Sequence, residues 1–241
     1  MPGDEQSSGR ADNQKRRVPG GRAGRSALLK ALVLVLGILG QVLGLSRSNF
    51  MSGTHFLYYT NISNLLIIAL MAMLLIRVLR APDRQLPPWL SAARMALSAG
   101  VLLTFAGFTL LLLPRIDPDY LFSPDNLLVH YLVPLLACLD FVLFLDSPPH
   151  PRPRLAWGLL LPLAYFLFSI CLTQSGVRMH GGYAPYFFLD YKTHGWFAAG
   201  GGSLGVFWWF LTLLGLQLLL SKVLLGLRDL TARNLQGTEP A

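Results

Sequence analysis

Charged residues are scarce in this chain of 241 residues: Asp, Glu, Lys and Arg make up 13% of it, whereas hydrophobic residues make up 53%. This balance argues against a soluble globular domain and favours a membrane protein. The apolar residues also form runs of about 20, the length that crosses a bilayer as a helix. We expect six spans, at residues 26–45, 57–79, 90–113, 125–146, 155–173 and 197–220.

Cysteine is rarer still, with only two residues, Cys138 and Cys171. Their expected depths in the fourth and fifth spans differ by roughly 15 Å, which is too far for a disulfide. The sequence therefore predicts two free thiols in apolar surroundings and no disulfide framework.

Acidic residues are outnumbered, 12 against 20 basic residues, so the formal net charge is +8. An even number of spans places both termini on one side of the membrane. If that side is the cytoplasm, every basic residue lies there except Arg47, Arg115, Arg178 and Lys192. This bias matches the positive-inside rule and predicts contact with anionic lipid headgroups. Because the basic residues flank spans and form no continuous reading surface, we expect no nucleic-acid partner.

The predicted fold class is all-α: a polytopic membrane protein with six transmembrane helices and both termini in the cytoplasm. Residues 1–25 are rich in Gly, Arg and Ser and are predicted to be a disordered basic tail. Residues 26–226 would form the transmembrane domain, and 227–241 a cytoplasmic C-terminal tail. We expect the first apolar run to be an uncleaved span, since "LGLSRS" offers no clear cleavage site for a signal peptidase.

Small residues in the first and sixth spans are predicted to let helices approach closely. The patterns are Gly40-xxx-Gly44, preceded by Gly37, and Gly201-xxx-Gly205. Trp208 and Trp209 are expected near the middle of the sixth span, where packing is their default role.

Uncharged polar residues interrupt the second span in "FLYYTNISNLLIIAL": Thr60, Asn61, Ser63 and Asn64. Thr60 and Asn64 are four residues apart and therefore share a helical face. The structural interpretation is that Thr60 bonds back to the carbonyl of Phe56, and that the Asn and Ser side chains join neighbouring helices.

The fourth span carries His130, with Asn126 one turn before it and Pro134 one turn after it. A rise of 1.5 Å per residue puts Thr60 about 5 Å and His130 about 8 Å below the outer surface, at similar depth. An ionisable residue inside a span is a functional hypothesis by default, although a structural hydrogen bond would explain His130 equally well.

Other charged residues within spans have structural explanations. Lys30 and Arg77 lie near inner ends, where their side chains can reach the headgroups. Asp140 is expected outside the candidate site, as a buried acid or as a partner of Arg94 or Thr104.

Three stretches together resemble one family. "YYTNISNLL" is similar to the F-T-x-x-S-N opening of the second span in bacterial six-span membrane proteins of the Pr-six-Pr type. "LLVHYLVPLLACLDFVLF" resembles that family's H-Y-x-x-P-L-L-x-x-L-D span, and "YAPYFFLD" its Y-P-Y-x-F-L-D outer loop. The resemblance covers spans two to six and implies a bacterial cytoplasmic membrane protein.

Those proteins are distantly similar to the androgen-induced and androgen-dependent membrane proteins of eukaryotes. The latter are multi-pass hydrolases of fatty acid esters of hydroxy fatty acids, with a membrane threonine as nucleophile and a histidine as its partner. By motif, these roles fall on Thr60 and His130. The resemblance thus implies a threonine-type hydrolase of membrane acyl esters, acting without a cofactor or metal.

In that mechanism His130 would take the proton from the Thr60 hydroxyl and return it to the leaving alcohol. Asn126 would orient the imidazole, and Asn61 or Asn64 would donate to the developing oxyanion. The remaining supporting or binding candidates are Ser63 in the second span and three residues of the longest outer loop, Tyr183, Tyr186 and Asp190. A loop mixing Gly, His, Tyr and Asp is typical of site-forming loops.

Three alternatives remain open. The same pocket would bind or sense a lipid or small ligand without cleaving it. A metal site would draw on His55, His130, His180, His194 and Asp190, although their spacing forms no compact motif. A transporter is disfavoured because we find no internal repeat and expect no paired charges within the spans.

Overall fold

A computed structural model of the chain describes residues 21–47, 53–82, 84–115, 118–145, 154–179, 182–200 and 203–236. Most of the predicted N-terminal tail, residues 1–20, lies outside the described residues. The remainder of that tail, residues 21–25, is helical and begins the first span.

Six helices are long and apolar enough to cross a membrane, which confirms an all-α, multi-pass membrane protein. Their bounds are Gly21–Arg47, Tyr59–Arg80, Pro88–Arg115, Pro124–Leu143, Leu155–Gln174 and Val206–Leu235. The third and fourth begin on proline, which fits the first helical position because it needs no N–H partner there.

Each span is built from the following pieces. The first is α1, Gly21–Arg47, and the second is α2, Tyr59–Arg80. The third is α3, Pro88–Gly107, continued by a π-helical turn, Phe108–Leu112, and a 3-10 turn, Leu113–Arg115. The fourth is α5, Pro124–Leu127, a π-helical turn, Leu128–Leu132, and α6, Val133–Leu143. The fifth is α7, Arg154–Trp157, followed by α8, Leu160–Gln174, and the sixth is α10, Val206–Gln236.

Short elements join the spans. They are 3-10 turns at His55–Leu57 and Phe187–Leu189, the helices α4, Pro118–Leu121, and α9, Tyr191–His194, and the strands β1, Ala199–Gly200, and β2, Ser203–Leu204. The two strands pair antiparallel.

The sixth span differs from its prediction at both ends. It begins at Val206, not at residue 197, because residues before it form the two-stranded ribbon. Gly205 therefore packs against a loop, with the backbone of Trp196 beside its Cα, and is not part of a helix–helix seam. Trp208 and Trp209 consequently lie at the start of the span and not in its middle. The helix then runs on to Gln236, well into the predicted C-terminal tail.

Glycines of the first span pack as predicted. A Cβ added to Gly40 would lie 2.9 Å from Val129 Cγ1, and one added to Gly37 would lie 2.6 Å from Ile68 Cγ1. The first span therefore lies so close to the second and fourth spans that a larger residue at either position would displace Ile68 or Val129. The two cysteines are unpaired; Cys138 is buried, whereas Cys171 is exposed and so is not a core thiol as predicted.

A buried ionic cluster joins three spans. The Asp140 carboxylate accepts from Lys30 Nζ at 2.7 Å and from Arg94 Nη2 at 2.8 Å, and all three side chains are at most 1% exposed. Lys30 also donates to Ser26 Oγ at 2.7 Å. The expected Asp140–Arg94 pair is thus confirmed, whereas two expectations are wrong: Lys30 does not extend to the surface, and charges within spans are paired.

Arg94 and a further arginine cap the end of the fourth span, whose final carbonyls lack helical partners. Arg94 donates to the carbonyl oxygens of Asp140 and Phe144 at 2.8 and 2.9 Å, and Arg228 of the sixth span donates to that of Phe141 at 2.8 Å. We call this side of the bundle the Asp140 end. The opposite side, where the second span begins, is the Thr60 end.

Replacing Asp140 by Ala should destabilise the protein by about 3–5 kcal/mol, because it leaves two buried cations without their carboxylate. Unfolding of the purified protein in mixed detergent micelles measures this difference. The matched control is Leu139→Ala, at a neighbouring side chain that is 44% exposed. Equal unfolding free energies for the two variants would show that the cluster contributes no net stability.

Candidate functional site

A cavity lies among the second, third, fifth and sixth spans at the Thr60 end. Its volume is about 80 Å³, and it is partly open to the surroundings. Sixteen described residues line it, mostly aliphatic and aromatic. Thr60 and Thr104 supply hydroxyl groups from the second and third spans, and Tyr186 supplies a phenol from the loop before the sixth span. This composition is typical of a ligand-binding cavity.

Thr60 and Tyr186 meet on the cavity wall. The two hydroxyl oxygens are 3.5 Å apart, and the Thr60 backbone N–H points at the phenol oxygen with N and O 3.4 Å apart. The second span starts without a side-chain cap of its own, so Tyr186 accepts one of the free N–H groups of its first turn. Both residues were predicted for the site, and the structure brings them together.

The other polar residues of the second span have structural partners. Asn64 donates to the carbonyl oxygens of Thr60 at 2.8 Å and of Val129 at 3.0 Å, which ties the second span to the fourth. Asn61 donates to the carbonyl oxygen of His55 at 2.6 Å. These contacts favour the structural interpretation of both asparagines, because neither amide nitrogen faces the cavity.

Ser63 links the second span to the third. Its hydroxyl donates to the Thr60 carbonyl at 3.0 Å and lies 2.9 Å from the Thr104 hydroxyl oxygen. Ser63 is fully buried and does not line the cavity, whereas Thr104 does. Ser63 therefore reaches the site only through its partner.

His130 lies behind the cavity wall and does not line it. Its ring stacks on Phe108 with centroids 3.8 Å apart and planes 22° apart, and Phe108 itself faces the cavity. His130 Nδ1 is buried without a hydrogen-bond partner among the described residues. The described contacts include no bond between His130 and Thr60, so the geometry does not assemble the expected nucleophile–base pair in this conformation.

Asn126 is not positioned to orient His130. Its amide nitrogen donates to the carbonyl oxygens of Leu121 at 3.2 Å and Tyr120 at 3.4 Å, in the turn before the fourth span. His130 is in the π-helical turn that precedes Pro134, where Val133 N–H bonds to the carbonyl of Leu128 five residues back. Pro134 has no N–H to donate, which explains why the regular α-helical hydrogen bonds are replaced by a π-helical turn here.

The loop before the sixth span forms one wall of the cavity, and Asp190 organises it. Its carboxylate accepts from Thr193 Oγ1 at 2.8 Å, from Thr193 N at 3.1 Å and from Tyr183 N at 3.3 Å. Asp190 thus holds the loop in shape and does not face the cavity. Tyr183 stacks under the Arg178 guanidinium, 4.0 Å from the ring centroid, and likewise lies outside the lining.

Sequence reasoning missed most of the cavity wall. Phe108, Phe166 and Phe210, from the third, fifth and sixth spans, all line it. From sequence alone, an aromatic residue that faces a cavity cannot be distinguished from one that faces lipid. The tyrosine-rich loop was the available signal for one wall, because aromatic residues clustered with Asp and Gly are unusual in a simple connection.

A second polar cluster joins the first, second and fourth spans at this end. Arg47 and Asp125 form an ion pair at 3.2 Å, and the His55 ring packs beside Gly44 close to Asp125. His55 Nε2 is buried without a partner among the described residues. Burial lowers the pKa of His55 below 6.5 and outweighs Asp125, which raises it.

His55 should make stability fall on acidification. Because its pKa is lowered in the folded state, the unfolded chain binds the extra proton first as the pH drops through 6.5. We expect the thermal midpoint in detergent to fall more steeply from about pH 7.5 to 5.5 for the wild type than for His55→Gln. Parallel curves for the two proteins would contradict this.

The metal alternative gains no support from the described residues, among which no three His, Cys, Asp or Glu side chains come together. His180, one of the histidines on which that alternative depended, lies outside them.

Fold and contacts together define the class: a six-helix, multi-pass membrane protein with an apolar cavity at one end and a buried ionic cluster at the other. Comparison with protein-family models, with curated proteins and with solved structures gave no match to this chain.

Proposed function

We propose that this protein binds a membrane lipid or a similar apolar ligand in the cavity at the Thr60 end. The carrying observation is the cavity itself, about 80 Å³ of space that is partly open to the surroundings, with a largely apolar wall that bears the paired hydroxyls of Thr60 and Tyr186. Water gains few hydrogen bonds from such a wall, so an apolar occupant is favoured.

The proposed location is a bacterial cytoplasmic membrane, with the Asp140 end and both termini in the cytoplasm. The support is the distribution of basic residues, since Arg77, Arg80, Arg84 and Lys222 all lie at that end and would meet anionic headgroups. A reporter fused after the C-terminus would establish the side directly, and an external reporter would contradict the proposal.

Filling the cavity should expel its occupant. Gly107 lines the cavity, and a Cβ added there meets no atom within 4 Å, so the first side-chain atom of Gly107→Leu is accommodated and the larger side chain competes for the cavity. We expect lipid that co-purifies with the protein, measured by native mass spectrometry, to fall roughly fivefold or more.

The matched control for that experiment is Gly226→Leu. A Cβ at Gly226 also meets no atom within 4 Å, but this residue is exposed in the sixth span and lies outside the cavity lining. Equal lipid in the wild type and in both variants would show that the cavity is not a binding site.

Hydrolysis of an acyl ester is the second candidate, favoured by the hydroxyl of Thr60 on the cavity wall. The threonine oxygen would attack the ester carbonyl, its proton would pass to a base and then to the leaving alcohol, and water would cleave the acyl-threonine. The hydroxyl beside Thr60 is that of Tyr186, whose pKa is raised to about 12, mainly by burial. A neutral phenol cannot take this proton near pH 7, so binding is better supported than hydrolysis.

Turnover of a long-chain acyl ester by the purified protein tests the second candidate. If Thr60 is the nucleophile, Thr60→Val should lower the rate at least about 100-fold and abolish labelling by a hydrolase probe. The control is Thr109→Val, whose hydroxyl only donates to the Phe105 carbonyl at 2.8 Å. Turnover that is absent in the wild type, or equal in both variants, would rule out Thr60 catalysis.

A further inference from the structure

The cavity wall is unusually rich in aromatic rings. Of the sixteen lining residues, seven carry one. Five of the seven come from opposite sides: Phe108 from the third span, Phe166 and Phe210 from the fifth and sixth, and Tyr186 and Phe188 from the loop. A straight acyl chain needs only an apolar channel, whereas aromatic rings on several sides favour a flat occupant that can stack on them.

These rings are held in place by other rings packed against them. The His130 ring covers one side of Phe108, with centroids 3.8 Å apart. Phe166 packs on Phe210 at 4.2 Å, and Tyr186 lies parallel to Phe188 at 5.1 Å. Rings already fixed by their neighbours lose little freedom when a ligand stacks on them, so stacking contributes more fully to affinity.

The lining carries no formal charge. None of the sixteen residues is Asp, Glu, Lys, Arg or His. A charged group inside the cavity would therefore be buried without a counter-ion, which is costly. The part of the ligand that enters is uncharged.

The hydroxyl pair supplies a hydrogen-bond donor. The Tyr186 oxygen accepts from the Thr60 N–H and lies 3.5 Å from Thr60 Oγ1. When one of the two hydroxyl groups donates to the other, the accepting hydroxyl still has a proton of its own that it can donate. Tyr186 keeps its proton at neutral pH. A carbonyl oxygen on the ligand would accept that remaining proton.

We propose that the occupant is a flat, uncharged ring lipid with carbonyl acceptors, the chemical class of the isoprenoid quinones. This rests on the proposed function, since it names the ligand of the same cavity. The ring lies among Phe108, Phe166 and Phe210, and a ring carbonyl accepts from the Thr60–Tyr186 pair. The isoprenoid tail leaves through the open part of the cavity.

Titration of the full chain in phospholipid nanodiscs with a ubiquinone bearing one isoprene unit tests this. Trp209 reports binding through fluorescence quenching, because its ring lies 6.1 Å from that of Phe188 on the cavity wall. We expect saturable quenching that is lost in Trp209→Phe. Phe108→Leu and Phe210→Leu together should weaken binding about tenfold.

The control is Phe105→Leu, one turn from Phe108 in the same span. Phe105 makes an edge contact with Tyr131 at 5.6 Å but does not line the cavity, so its loss should leave quinone affinity unchanged. The thermal midpoint of each variant distinguishes weakened binding from unfolding. If the double variant does not fold, the single variant Phe210→Leu is titrated in its place.

A second ligand, the neutral single-chain ester monoolein, tests the alternative that the cavity binds an acyl chain. Saturable quinone binding that depends on Phe108 and Phe210 supports the inference. Quenching that never saturates, together with retention of monoolein that is lost in Gly107→Leu, overturns the quinone assignment and leaves lipid binding intact. If neither probe binds, both the inference and the proposed function fail.

Discussion

The carboxylate of Asp140 is the point on which the bundle's buried charge converges. Cationic side chains from the first and third spans meet on it, 2.7 and 2.8 Å from its two oxygens. Each cation would be very costly alone in an apolar interior, and each becomes tolerable only when the three helices are in register. The same arginine that pairs with Asp140 caps the end of its helix, so one contact sets both the depth and the rotation of the fourth span.

The register fixed at the Asp140 end determines what the fourth span presents at the Thr60 end. Between the two, the span passes through a π-helical turn that carries His130 onto Phe108. The third span has its own π-helical turn at Phe108. The two π-helical turns therefore meet at the stacked rings of Phe108 and His130, which form the back of the cavity wall. The buried ion pairs hold the spans together at the Asp140 end, and the packing of aromatic rings shapes the cavity at the Thr60 end.

Sequence reasoning located the spans well because a run of 20 apolar residues has few other uses. It failed at residues 197–205, whose composition is apolar but in which Ala199–Gly200 pairs with Ser203–Leu204 as a ribbon before the sixth span. It also misjudged Lys30, since a lysine near a span end normally extends to the headgroups and its partner lies 110 residues away. Arg94 was a named partner of Asp140 because both lie near the same ends of neighbouring spans.

The candidate site was only partly predictable for a similar reason. The polar residues of the second span stand out in a lipid-soluble sequence, and Thr60 does reach the cavity with Tyr186. Which other side chains reach the cavity depends on how each helix is rotated about its own axis. Residue spacing within one helix does not specify its rotation relative to another helix. Equal depth for Thr60 and His130 was therefore insufficient: Phe108 stands on the cavity wall, and His130 stacks behind it.

The distance along the chain between Lys30 and Asp140 also has a consequence for how the protein is made. The two residues are 110 positions apart, so at typical synthesis rates Lys30 waits about 5–20 s before its carboxylate leaves the ribosome. During that interval the lysine must reach for the headgroups or for water. Burial of the Lys30 side chain in its ion pair therefore requires that the fourth span is already present.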